Sequence, residues 1–197
     1  MTDASESTEA ERLHRAQAAV LEPRFAAARR DDGAMLDVLE VGAGRWASSF
    51  DPEKTRFVGI DAREDLVESA RANFPAGRFD VMGPDPILPY EKGSFDLVFS
   101  VTVMHHYPPQ AKRTLLSEMW RVARPGGLLM FLEYFVFTRQ MEDPDTHPTS
   151  VTRFVELVLG ATAGQVTLEY VESLRYPGED LHRGGLISLR RLGVPRT

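Results

Sequence analysis

Four short apolar runs, Met35–Val41, Phe57–Ile60, Phe95–Ser100 and Leu128–Glu133, most restrict the fold of this chain. Each is nearly continuous in Val, Ile, Leu, Phe or Met and too short for a helix that buries one stripe. Such runs predict strands covered on both faces, the pattern of a parallel sheet. A fifth run, Arg78–Met82, is more polar and reads as an edge strand. Between them lie segments with helical spacing. "DAREDLVESARANFP" places Leu66, Val67 and Ala70 on one face and stops at Pro75. "PPQAKRTLLSEMWRVARPGG" buries Leu115, Leu116, Met119 and Val122, with proline before it and Pro-Gly-Gly after it.

Further elements flank this centre. Thr8 starts a helix carrying Leu13, Ala16, Val20 and Leu21 inward. Pro23 is expected to bend or restart it, and "RRDDG" to end it at Gly33. Thr149 or Ser150 caps a helix running to Leu159. Val166–Leu174 and Leu186–Leu192 are strands joined without a helix, so they should pair antiparallel. The prediction is an α/β, Rossmann-like three-layer sandwich: a mainly parallel seven-stranded sheet whose last strand is antiparallel. The expected organisation is an N-terminal helical segment (1–33) and one domain (34–197), with a lid-like stretch at about 135–163.

Composition narrows the function. A formal net charge of −6 argues against a nucleic-acid partner. The chain has no cysteine, which excludes thiolate nucleophiles and Cys-ligated zinc. No cluster offers three convergent metal ligands, so no metal is expected. The polar start "MTDASESTEAERLHRA" is not a signal peptide, and no apolar run reaches membrane-spanning length. A cytoplasmic protein with no membrane partner is expected. No residue pattern selects an oligomeric state.

Ligands of open parallel sheets sit at the carboxyl ends of the strands. After the first strand comes Gly42-Ala43-Gly44. These glycines permit positive φ and close backbone approach, though a tight turn without a ligand would use them equally. Asp61 follows the second strand, 17 positions beyond Gly44. It is placed to accept both hydroxyls of a ribose, or to cap the following helix, or both.

At this point the ordered motifs "DVLEVGAG", "FVGIDA", "LPYEKGSFDLVFS", "MHHY" and "RVARPGGLLMF" resemble those of class I S-adenosylmethionine-dependent methyltransferases. They are most similar to the small bacterial branch of ubiquinone-biosynthesis-type enzymes. The resemblance covers about residues 35–134, and the Phe95-Asp96 pair with Arg124-Pro-Gly-Gly127 is its most specific part. It implies S-adenosylmethionine as cofactor. Gly42, Ala43 and Gly44 would lie under its methionine part, and Glu40 would order the loop or meet its ammonium. Asp61 would bind the ribose, Ala62 would touch the adenine, and Ser100 and Val101 would supply backbone contacts.

Three departures matter. Trp46 stands at the family's third loop glycine, either walling the cofactor or packing under the N-terminal helix. Asp85 is the family's adenine-contacting acid shifted by one position, or that acid is absent. Little sequence follows the last strand, so no large substrate cap is expected there.

Methyl transfer from a sulfonium is an in-line displacement in which proximity and orientation supply most of the rate. A base is needed only for an acceptor that arrives protonated. His105, His106, Tyr107, Glu133 and Tyr134 follow strands four and five. His105 or His106 is a candidate base, or one of them is structural, and Glu133 is a candidate substrate contact. The expected function is O-, N- or S-methylation of a small-molecule metabolite. The alternatives are a non-catalytic cofactor-binding protein and a protein or RNA methyltransferase. The last is disfavoured because "SVTVMHHYPP" lacks an Asn/Asp-Pro-Pro-Tyr sequence.

Overall fold

A computed structural model describes residues 8–28, 32–135, 146–175 and 183–193. Seven strands form one sheet in the order β3-β2-β1-β4-β5-β7-β6. They are β1 (Leu36–Val41), β2 (Thr55–Asp61), β3 (Arg78–Val81), β4 (Phe95–Val101), β5 (Ala123–Phe135), β6 (Val166–Arg175) and β7 (Arg183–Arg191). The first five are mutually parallel. The last, β7, runs antiparallel between β5 and β6. This is the expected Rossmann-like sheet with its antiparallel last strand.

Helices cover both faces. On one face α1 (Glu9–Ala27) and α2 (Glu64–Asn73) close over Val38, Phe57, Phe99 and Met130. On the other, α3 (Pro109–Val122) and α4 (Val151–Ala161) close over Leu39, Val98, Leu129 and Phe131. Alternation along each strand decides the partner: in β5, Leu129 and Phe131 face α3, while Leu128 and Met130 face the α1 side.

Two local outcomes differ from the sequence reading. Pro23 does not break α1, which runs through it to Ala27 rather than to Gly33. Leu21 and Phe25, on either side of the proline, are both buried and hold the helix against the sheet. A capping box starts it: the Thr8 hydroxyl accepts the Glu11 N–H (3.3 Å), and the Glu11 carboxylate accepts the Thr8 N–H (2.9 Å).

Secondly, Arg124-Pro-Gly-Gly127 is not only a helix tail but the start of β5. Phe95 pairs with Ala123 and Leu97 with Leu128, so four residues loop out opposite Asp96. A Cβ on Gly127 would stand 2.9 Å from the Arg124 carbonyl oxygen and 3.0 Å from that of Asp96, so only glycine fits. The helix α4 packs one face into the core. Phe154, Leu157 and Val158 are buried, and the Ser117 hydroxyl donates to the Ala161 carbonyl (3.1 Å). Residues 136–145 of the expected lid-like stretch lie outside the described residues.

Candidate functional site

The carboxyl ends of β1, β2 and β4 surround a cavity of about 630 Å³. Glu40, Gly42 and Ala43 from β1 and its turn, Asp61 and Ala62 from β2, and Val101, Thr102 and Val103 from β4 line it. His106 and Tyr107 close one side, Arg45 and Trp46 another. A second hollow of about 580 Å³ opens by α1 and Met35, toward the amino end of β1. It gathers no buried carboxylate or histidine.

The glycine turn is shaped by the fold as well as by the cavity. Gly42 (φ +141°) and Gly44 (φ +72°) occupy backbone conformations that favour glycine, and the Gly42 N–H donates to the Ile60 carbonyl (2.8 Å). A Cβ on Gly44 would collide with the Phe79 ring at 2.3 Å. Gly44 is therefore required by packing whether or not a ligand arrives. Trp46 resolves in favour of packing: its ring is buried, stacks on His14 (centroids 4.6 Å apart) and meets Phe25 edge-on at 6.2 Å, both from α1. One side of it still borders the cavity.

Glu40 is the anomalous group. It is buried, its carboxylate accepts the Trp46 N–H (3.2 Å), and no guanidinium or ammonium hydrogen-bonds it among the described residues. Burial pushes its pKa up to about 8, against the opposing pull of the Trp46 N–H and the Arg45 charge. A buried acid at a cavity wall is complementary to a cation. Asp61 is half-buried and accepts the Arg63 N–H (2.8 Å) just before α2, whose N-cap position is Arg63 itself. Thr102 has φ +54°, unusual for a non-glycine residue, where β4 leaves the sheet into the cavity wall. Such strain persists only where surrounding contacts fix it. Here the Thr102 N–H donates to the Leu132 carbonyl (2.7 Å).

Behind this wall stands a buried clamp. One oxygen of Glu133 accepts the N–H groups of Val103 (2.7 Å) and Met104 (2.8 Å). The other lies 3.0 Å from His105 Nδ1. Glu133 thereby satisfies the open N–H groups of the 3-10 turn Met104–His106. The His105 ring lies 4.1 Å from that of His106 and packs against Tyr134 at 5.3 Å. Of the three expected catalytic residues, only His106 lines the cavity; His105 and Glu133 form the layer behind it. Burial raises the Tyr107 hydroxyl to about 12, helped by the nearby Asp61 carboxylate, so it stays protonated.

Among the expected cofactor positions, Glu40, Gly42, Ala43, Asp61, Ala62 and Val101 line the cavity. Gly44 is buried under Phe79. Ser100 is wholly buried with an unpartnered hydroxyl, and its side chain is not in the wall. Asp85 is exposed and outside the cavity; Met82, three residues earlier, stands in the wall instead. The strand β3 stops at Val81; the Met82 N–H still pairs with the Asp61 carbonyl (2.8 Å), and the proline-rich loop follows. Arg45 and Thr102 were missed by sequence reasoning. Their positions beside Gly44 and after β4 were the available signal.

Residues 39–131 match the family model described as a methyltransferase domain. A demethylmenaquinone methyltransferase of Lactococcus lactis is 30% identical over 116 residues, covering 53% of this chain and 44% of that protein. A probable tRNA methyltransferase 9B of Bos taurus is 30% identical over 117 residues, covering 58% and 23%. The chain thus spans less than half the length of the curated relatives it matches. Among solved structures, a Burkholderia thailandensis 1,6-didemethyltoxoflavin-N1-methyltransferase with bound S-adenosylhomocysteine superposes with TM-score 0.66 at 19% identity, covering 98% of this chain and 94% of that one. That likeness shows the fold. Over residues 39–131, a little under half of the chain, the sequence is thus similar to a methyltransferase domain, and the sheet order is that of the methyltransferase fold.

Proposed function

We propose that this chain transfers a methyl group from S-adenosylmethionine to O, N or S of a small-molecule metabolite in the cytoplasm. The observation that carries the reading is the convergence of Glu40, Gly42, Ala43, Asp61 and His106 on one cavity. The fit to the cofactor rests on Glu40, a buried acid at the cavity wall that a cation such as the cofactor's ammonium would hold in its ionised form. Asp61 takes the ribose hydroxyls, Ala62 lies by the adenine, and the Gly42–Gly44 backbone and Val101 flank the methionine part. S-adenosylmethionine supplies an already activated methyl group, so the protein's work is positioning. His106 is the candidate base for an acceptor that arrives protonated, because imidazole is the side chain suited to exchanging a proton near neutral pH. His105 and Glu133 orient it from behind. Support for a small acceptor comes from the demethylmenaquinone relative and the net charge of −6. The tRNA-methyltransferase relative favours RNA as the second reading.

Isothermal titration is expected to show micromolar or tighter binding of S-adenosylhomocysteine, with quenching of Trp46 fluorescence. A folded protein giving no heat would remove the enzymatic reading. Tritiated S-adenosylmethionine offered with metabolite extract or with bulk tRNA separates the two acceptors: label in tRNA alone would overturn the small-molecule reading.

A further inference from the structure

Lys112 lies in the first turns of α3 and is 1% exposed, although lysine is seldom fully buried. Burial lowers its pKa, and the neighbouring Glu133 carboxylate opposes that fall. An ammonium removed from water needs polar partners. Its Nζ donates to the carbonyl of His147 (2.6 Å). The N–H of that same His147 donates to the His105 carbonyl (2.6 Å). Two residues on, Thr149 bridges Phe135 at the end of β5, and Ser150 caps α4 by accepting the Arg153 N–H (3.2 Å). The chain entering α4 is thus stitched on one side to α3 and on the other to the turn that carries His105 and His106. Glu133 grips that turn from below through Val103, Met104 and His105.

We propose that Lys112 is a positioning residue: its ammonium pins the chain entering α4 across the His105–His106 turn and so sets where His106 stands in the cavity wall. Neither end of this tie is in the cavity, so it acts through the turn and not on a ligand. A methionine would fill the same space without the cost of a buried charge. The ammonium therefore has work that packing alone does not explain. The inference rests on the proposed function only in taking the His106 side as the acceptor side.

Lys112→Met keeps the aliphatic bulk and deletes the ammonium; Lys112→Arg keeps a cation. In Lys112→Met, amide exchange at His147 should quicken about tenfold or more, the loss of one charge-assisted hydrogen bond. The His106 ring signal in a carbon–proton NMR spectrum should shift. Lys112→Arg should restore both. If Lys112→Met does not fold, His147→Pro removes the N–H to His105 without touching the buried stem, and should shift the same ring signal. An unmoved His106 signal in the variant that folds overturns the proposal, as does a shift that Lys112→Arg fails to reverse. Calorimetry with S-adenosylhomocysteine should give an affinity within about twofold of wild type in Lys112→Met, since the glycine turn and Asp61 are untouched. Absence of binding in the wild type would sink the functional reading while leaving the exchange and NMR outcomes decisive for Lys112.

Discussion

At the amino end of the parallel sheet every central carboxylate faces a guanidinium. Asp37 of β1 binds Arg56 through two hydrogen bonds (2.6 and 2.8 Å) and Arg124 through a third (3.0 Å). Asp96 of β4 meets Arg124 at 2.8 Å and accepts the Asp37 N–H (2.9 Å). Burial alone would raise the Asp37 carboxyl, but the two arginines outweigh it and hold its pKa below the usual value. At the carboxyl end the opposite holds. Glu40 is buried with its pKa pushed up, and Thr102 sits in a strained conformation. One end is a satisfied lock that fastens β1, β4 and β5. The other is left electrostatically incomplete, as sites that await a charged ligand are. The motifs that carry the resemblance most specifically, Phe95-Asp96 and Arg124-Pro-Gly-Gly127, lie at the amino end and do not line the cavity.

That contrast can be broken most directly at Asp61. Asp61→Ala should lower S-adenosylhomocysteine affinity by about 100-fold or more, because two hydrogen bonds to a carboxylate are worth roughly 1.5–3 kcal/mol each. Its melting temperature should stay close to wild type. Calorimetry and thermal denaturation measure the two halves. Unchanged affinity would make Asp61 only the acceptor of the Arg63 N–H.

Glu40→Gln comes next. In the wild type the folded carboxyl holds its proton to about pH 8, whereas the unfolded one releases it near 4.5. The stability this gives is present below 4.5 and is lost as pH rises through 8, by up to about 1.4 kcal/mol per pH unit. Glutamine keeps an acceptor and cannot ionise. Ligand-free Glu40→Gln should therefore melt at increasingly higher temperature than wild type as pH goes from 5 to 8, while binding S-adenosylhomocysteine more weakly. A gap that does not widen with pH would mean that Glu40 is hydrated and ionised, and the contrast between the two ends would lose its main support.

Asp96→Ala tests the lock. It removes the acceptor of the Asp37 N–H and one partner of Arg124, at a cost of about 2 kcal/mol. For a chain of this size that is roughly 4–8 °C in melting temperature. Affinity for S-adenosylhomocysteine per folded molecule should not change. A loss of affinity would show that the two ends are coupled through β4.

The sheet and its order of elements were legible because buried strands and amphipathic helices leave different periods, and those periods depend on local sequence alone. The glycine turn and Asp61 were legible for the same reason: each lies at a strand end. Legibility failed where the answer depends on distant packing. Nothing local in "LEPRF" tells that Leu21 and Phe25 would carry α1 through Pro23. Nothing local in "LLMFLEY" tells that Glu133 would clamp a turn about thirty positions earlier, or that Lys112 would be buried beneath His147. Asp85 failed through register: the strand stops at Val81, so Met82 takes the wall and Asp85 goes to solvent.

The smallest effect belongs to the outer rim of the lock. Arg56 is 61% exposed, and when it is removed Asp37 keeps Arg124. Arg56→Ala should cost below about 1 kcal/mol, since exposed ion pairs trade weak attraction for side-chain entropy. Screening should erase the difference in melting temperature at about 1 M salt, where the Debye length falls to roughly 3 Å. The inner pair of Arg124 with Asp96 is less exposed, at 26% and 11%, and should keep most of its effect at that salt. If Arg56→Ala and Asp96→Ala lost stability equally and with the same salt dependence, the lock would be a solvated charge cluster. The amino end would then differ from the carboxyl end in composition alone.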